Sequence, residues 1–150
     1  MTEPENQPER IGARQVSDRA KQSQVDFEIE FFDRILIQNA DYVDVLRVQA
    51  NNLSARGHYT RGLAADRRIV QLRPNDANAH YNLACSYSLL QMSSPAIDAL
   101  HSSLKLGYND FEHLMNDPDL DNVRKDSRFI RILGKYLLKA VKAPRSSRSR

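Results

Sequence analysis

The chain has 150 residues, 41% of them hydrophobic, enough for one domain with its own core but short for two. Its single cysteine, Cys85, excludes an internal disulfide framework, and no run approaches the roughly 18 consecutive apolar residues of a membrane span, so a cytoplasmic protein is expected. The net charge of +3 conceals an uneven distribution, because Arg124 to Arg150 holds ten basic residues against the single acid Asp126 and leaves the preceding body acidic.

Residues 1–22 mix Pro, Glu, Gln and Arg with few large apolar side chains, too little burial to offset the entropy of ordering. They are predicted to form a disordered N-terminal arm. From residue 23 to residue 142 apolar side chains recur at three and four residue spacing, and the strict alternation of a strand is missing, which predicts an all-α chain. Residues 23–42 read as one helix, with Phe31, Phe32, Ile35 and Leu36 ahead of the turn Asn39-Ala40-Asp41. Residues 43–76 form a helix-turn-helix unit broken at Arg56-Gly57-His58 and closed at Pro74-Asn75-Asp76. Residues 77–110 form a second, with its break at Met92-Ser93-Ser94 and its close at Gly107-Tyr108-Asn109-Asp110.

Residues 111–142 follow as a closing unit. There Asp117 is placed to cap a helix that Pro118 begins, and Ser127 to cap the last helix, whose apolar stripe is Phe129, Ile132, Leu133, Tyr136, Leu137 and Ala140. Residues 143–150, APRSSRSR, are predicted to be a basic disordered tail beyond the helix that Pro144 stops. Such short turns force neighbouring helices to pack antiparallel.

The two middle units repeat with a period of 34 residues. Laying Val43–Asp76 over Ala77–Asp110 pairs Ala50 with Ala84, Leu53 with Tyr87, Gly62 with Ala96, Leu63 with Ile97 and Val70 with Leu104. Small residues meet small and large meet large, so Ala50, Gly62, Ala84 and Ala96 are expected to let helix backbones approach closely. These residues, with Gly57, Tyr59, Pro74 and Leu83, resemble the tetratricopeptide repeat (TPR). The match departs from the pattern at Leu53, where an aromatic is usual, at Asp66, where a large residue is usual, and at Tyr108, where Pro would end the unit. Residues 23–42 look like the second helix of a preceding half-repeat, and residues 111–142 like the unit that closes some bacterial arrays. The resemblance implies a short right-handed α-solenoid that acts as a protein-binding scaffold.

In such arrays the first helix of each unit lines a concave face. The resemblance places Arg47, Asn51, Tyr81, Asn82 and Cys85 there as a peptide-binding groove for a partner protein. Arg47, Asn51 and Asn82 stand where some members grip a C-terminal carboxylate, but Glu112 and Asn116 occupy positions that should then be basic. An extended peptide contacted through its backbone suits the Asn amides better, since each offers donors and an acceptor.

A second surface lies on the last helix. Arg128, Arg131, Lys135, Lys139 and Lys142 are three or four residues apart and form one basic ridge. Contact with nucleic acid or the ribosome is therefore the alternative reading, whereas a polar outer face on a terminal helix also serves solubility. Membrane contact is not expected. The histidines His58, His80, His101 and His113 have no metal-ligand spacing, and neither a phosphate-binding loop nor a nucleophile elbow occurs. A non-catalytic protein without cofactor or metal is expected.

Overall fold

The computed structural model describes residues 9 to 143. It is all-α among the described residues: α1 (Glu9–Gln38), α2 (Val43–Ala55), α3 (Tyr59–Leu72), α4 (Ala77–Leu89), α5 (Ser93–Lys105), α6 (Phe111–Asn116), a 3-10 turn at Pro118–Leu120, α7 (Asp121–Arg124) and α8 (Ser127–Lys142). Sequential helices pack antiparallel in pairs, as in helical repeats. The first helices of the pairs start at Val43, Ala77 and Phe111 and the second at Tyr59, Ser93 and Ser127, so the 34-residue step runs twice through both series. No described helix is long and apolar enough to cross a membrane.

Local chemistry sets the boundaries. The α2–α3 and α4–α5 turns close in the same way, with His58 N–H donating to the Leu53 carbonyl and Met92 N–H to the Tyr87 carbonyl, each at 2.9 Å or less. This closure needs a left-handed residue just past the helix. Gly57 supplies it at φ 76°, and one repeat later Gln91 supplies it at φ 61°. The second turn therefore spans residues 90–92, and Ser93 and Ser94, read from the sequence as part of the break, already belong to α5. Asp76 caps α4 by accepting from Ala79 N–H at 3.0 Å, and Asp110 does the same for α6 from His113 N–H at 3.0 Å. Asp117 caps the 3-10 turn with Pro118 in its first position, as expected. The cap of α8 differs: Asp126, not Ser127, accepts from Arg128 N–H at 2.9 Å, and Ser127 is the first helical residue.

The core lies along the seams between pairs. Ile97, Leu100 and Leu104 of α5 meet Leu83 and Ala84 of α4, then Leu114, Leu120, Val123, Phe129 and Leu133 of the closing unit. A smaller cluster joins Leu46, Ala50, Ala65 and Ile69 of the first pair to Ala79 at the start of α4. The small residues sit at the close approaches: Ala84 and Ala96 are fully buried, and a methyl group on Gly62 would meet the Ala50 carbonyl at 3.6 Å.

The N-terminal arm is corrected in part. Residues 1–8 lie outside the described residues, but α1 starts at Glu9, so residues 9–22 continue the helix rather than forming a disordered arm. Residues 17–24 are all exposed, so burial does not hold them. They extend a helix already nucleated by the packed segment around Ile29, which Gln49 anchors by donating to the Ile29 carbonyl at 3.0 Å and to Asp33 at 2.6 Å. The basic tail lies outside the described residues from Pro144 onward, and α8 ends at Lys142.

Candidate functional site: a polar groove along α2 and α4

Because α2 and α4 are first helices of successive pairs, their exposed faces lie side by side and border the closing unit. A groove of about 240 Å³ opens there, lined by Asn51 and Ser54 from α2, Asp66 from α3, Tyr81, Asn82 and Cys85 from α4, and His113, Asp117 and Asp119 beyond them. A second recess shares Asn51, Ser54, Leu89 and Asp119 with it and carries the depression on past Tyr59.

Four of the five groove positions read from the sequence thus line one depression. Arg47 does not. Its guanidinium pairs with Asp76, the residue that caps α4, and ties the two pairs together. Burial works against the Asp76 carboxylate, but the Ala79 and Asn78 amides and Arg47 together hold it below the usual range.

The floor is built from buried carboxylates. Asp66 is 5% exposed and accepts from the Ser86 hydroxyl at 2.5 Å. Burial pushes its pKa up from 3.8 to about 6, against the opposing effects of the Ser86 bond and the Arg47 charge. Asp117 is also buried, and one of its oxygens accepts from the Tyr81 hydroxyl at 2.7 Å and lies 3.2 Å from His113 Nε2. Its other oxygen takes Asp119 N–H at 3.0 Å. Asp119 is held above the usual carboxylate range by burial and then by repulsion from Asp117 and Asp121.

Tyr81 joins these groups to the core. Its ring stacks on Tyr108 at 4.4 Å between centroids and 7° between planes, and lies 5.6 Å from the His113 ring. Burial and the bond to Asp117 push the Tyr81 hydroxyl far above its usual pKa, so it stays a donor. The Cys85 thiol is likewise pushed up, first by burial and then by Asp117, which keeps it protonated at neutral pH and unsuited to nucleophilic attack. Sequence reading missed Asp66, His113 and Asp119 as groove residues, and had Asp117 only as a cap. The one local signal was an acid at position 66, where the repeat calls for a large side chain.

The basic ridge occupies a different part of the molecule. Arg128, Arg131, Lys135, Lys139 and Lys142 are all exposed on α8. Arg128 is held by Asp126 at 2.8 Å and by the Ser94 hydroxyl at 3.0 Å, and the Lys135 ammonium lies 5.9 Å from the Tyr136 ring centroid. The histidines lie on separate elements, with His80 Nε2 2.8 Å from the Pro74 carbonyl and His101 edge-on to Tyr136.

No family model matches the chain. Over 86 residues, 55% of its length, the chain is 34% identical to a chloroplastic protein of Arabidopsis thaliana. The matched segment is 26% of that protein, so the chain spans about a quarter of the length of the relative to which it is similar.

Proposed function

We propose that the chain is a non-catalytic scaffold of the tetratricopeptide type, which holds an extended, Lys- or Arg-bearing segment of a partner protein in the groove along α2 and α4. The observation that carries this reading is the pairing of two amide side chains, Asn51 and Asn82, with the carboxylates Asp66, Asp117 and Asp119 in one concave depression. The amides suit a peptide backbone, and the carboxylates suit cationic side chains. A C-terminal carboxylate would meet like charge, and Arg47, the cation that would receive it, is engaged with Asp76. The 34-residue step and the partial similarity to the Arabidopsis protein support the repeat-scaffold reading.

Affinity purification from the native host tests it. The Asn51→Ala, Asn82→Ala double variant should keep the helical far-ultraviolet signal and lose the partners that the wild type retains. Retention of every partner by the double variant counts against the groove.

One observation favours a second reading. Arg131, Lys135, Lys139 and Lys142 project from one face of α8 into solvent, a row that suits a phosphate backbone. If nucleic acid or the ribosome is the target, replacing these four by Gln weakens association, and affinity in the wild type falls by roughly 0.9 log units per log unit of salt for each duplex phosphate contacted. A salt-insensitive complex rejects that version.

A further inference from the structure

The 34-residue step reveals what is unusual about α1. Its residues 25–38 are in register with α3 and α5, so Phe31 corresponds to Ala65 and Ala99, and Glu28 to Gly62 and Ala96. In both full pairs these positions are buried, with Ala65 at 9%, Ala99 at 7% and Ala96 at 0% exposure, and at Gly62 the preceding first helix supplies the cover through Ala50 and Leu53. On α1 the corresponding Phe31 is 47% exposed; Phe27, one turn earlier and in register with exposed Arg61 and half-buried Pro95, is 64% exposed, and the two rings stack at 6.4 Å with an interplanar angle of 13°.

Among the described residues the face is open because residues 9–21, in register with the first helices, do not fold back over it. The turns at residues 56–58 and 90–92 correspond to residues 22–24, yet α1 passes through these as uninterrupted helix. The segment that would have formed a covering first helix instead continues straight for a total length of about 45 Å, with residues 17–24 wholly exposed. An opened hairpin of this kind is the arrangement from which two identical chains exchange an element.

We propose that two copies of this chain pair through α1, antiparallel, the N-terminal extension of each lying over the Phe27 and Phe31 face of the other. The sequence of the helix fits this occupant. Ala20, Gln24, Phe27 and Phe31 follow a four-three-four spacing, one stripe along the helix, and reversing one copy sets its Ala20 against Phe31 of the other, small opposite large, and its Gln24 alongside Phe27. Lys21 and Glu28 flank the same side of this stripe, seven residues apart, and antiparallel pairing brings the cation of each copy beside the anion of the other. Ile29 and Leu36, which hold α1 to its own body, and the Gln49 contacts lie on the opposite side of the helix, while Glu28 on the flank already accepts from the Asn52 amide of α2 and from Gln24, each at 3.0 Å, so Lys21 of the second copy adds a charge to bonds that Glu28 already makes. This pairing stands independently of the groove.

Sedimentation of the full-length chain, 17.2 kDa as a monomer, tests it. The wild type should sediment as a dimer at about 100 µM and dissociate on dilution. Phe27→Ser with Phe31→Ser should give a monomer whose body remains helical, since both side chains are exposed. Lys21→Glu and Glu28→Lys should each weaken the dimer at least tenfold, and the two together should restore it. A wild type that is monomeric throughout, whether because α1 stays free or because a different protein's helix covers it, overturns the proposal. So does a dimer that survives loss of both phenylalanines, or a charge exchange that fails to restore pairing.

Discussion

Asp66 is buried on α3 with a neutral hydroxyl as its direct partner and a pKa of about 6. The unfolded chain ionises the same group near 3.8, so between these values the native state binds more protons, and stability falls as pH rises from 4 to 6. The conflict is on the order of 3 kcal/mol at neutral pH. Asp66→Asn keeps an acceptor for Ser86 and removes the charge. It should match the wild type in urea unfolding at pH 4 and exceed it at pH 8 by about 1 to 3 kcal/mol. An equal difference at both values would mean that ionisation is not the cause.

Gln91 carries a different strain, because a left-handed backbone is unfavourable for any residue with a Cβ. Gln91→Gly should stabilise the protein by roughly 0.5 to 1 kcal/mol once the greater freedom of glycine in the unfolded chain is set against the relief. Gly57, one repeat earlier, already uses that solution. The groove positions Asn51, Tyr81, Asn82 and Cys85 could be read from sequence because they depend only on the register of α2 and α4. The diversion of Arg47 could not, since it depends on Asp76, 29 residues away, turning back from the start of α4. Nor could the burial of Asp66 and Asp117, because Asp is so often a cap or turn residue that its presence alone does not mark a floor.

Helix ends follow local chemistry closely enough to be tested one at a time. Asp126→Ala should lower the midpoint of thermal unfolding by about 4 °C through loss of the α8 cap, whereas Ser127→Ala should leave it almost unchanged. The reverse order would restore Ser127 as the cap. The neighbouring acid and hydroxyl are both good caps, so sequence alone does not separate them. The start of α1 was hidden for another reason. Composition correctly shows that residues 17–22 bury nothing, but continuing an anchored helix requires only tolerable propensity, not burial.

Taken as a whole, the chain is a stack of helix pairs stepped by 34 residues, in which small side chains set the spacing and a closing unit covers the last seam. Periodicity made this architecture visible from sequence, since the same contacts recur and each repeat confirms the register of the other. The concave face is acidic and the outer face of α8 is basic, which separates two surfaces that net charge alone would have merged. The reading of the acidic face as a peptide groove is tested most directly by selecting binders from a displayed library of random extended peptides against the wild type and against the Asn51→Ala, Asn82→Ala, Asp66→Asn variant. Enrichment of Lys- and Arg-bearing peptides by the wild type, lost in the variant, is the expected result. Equal enrichment by both proteins, or selection of acidic C-terminal ends, would contradict it.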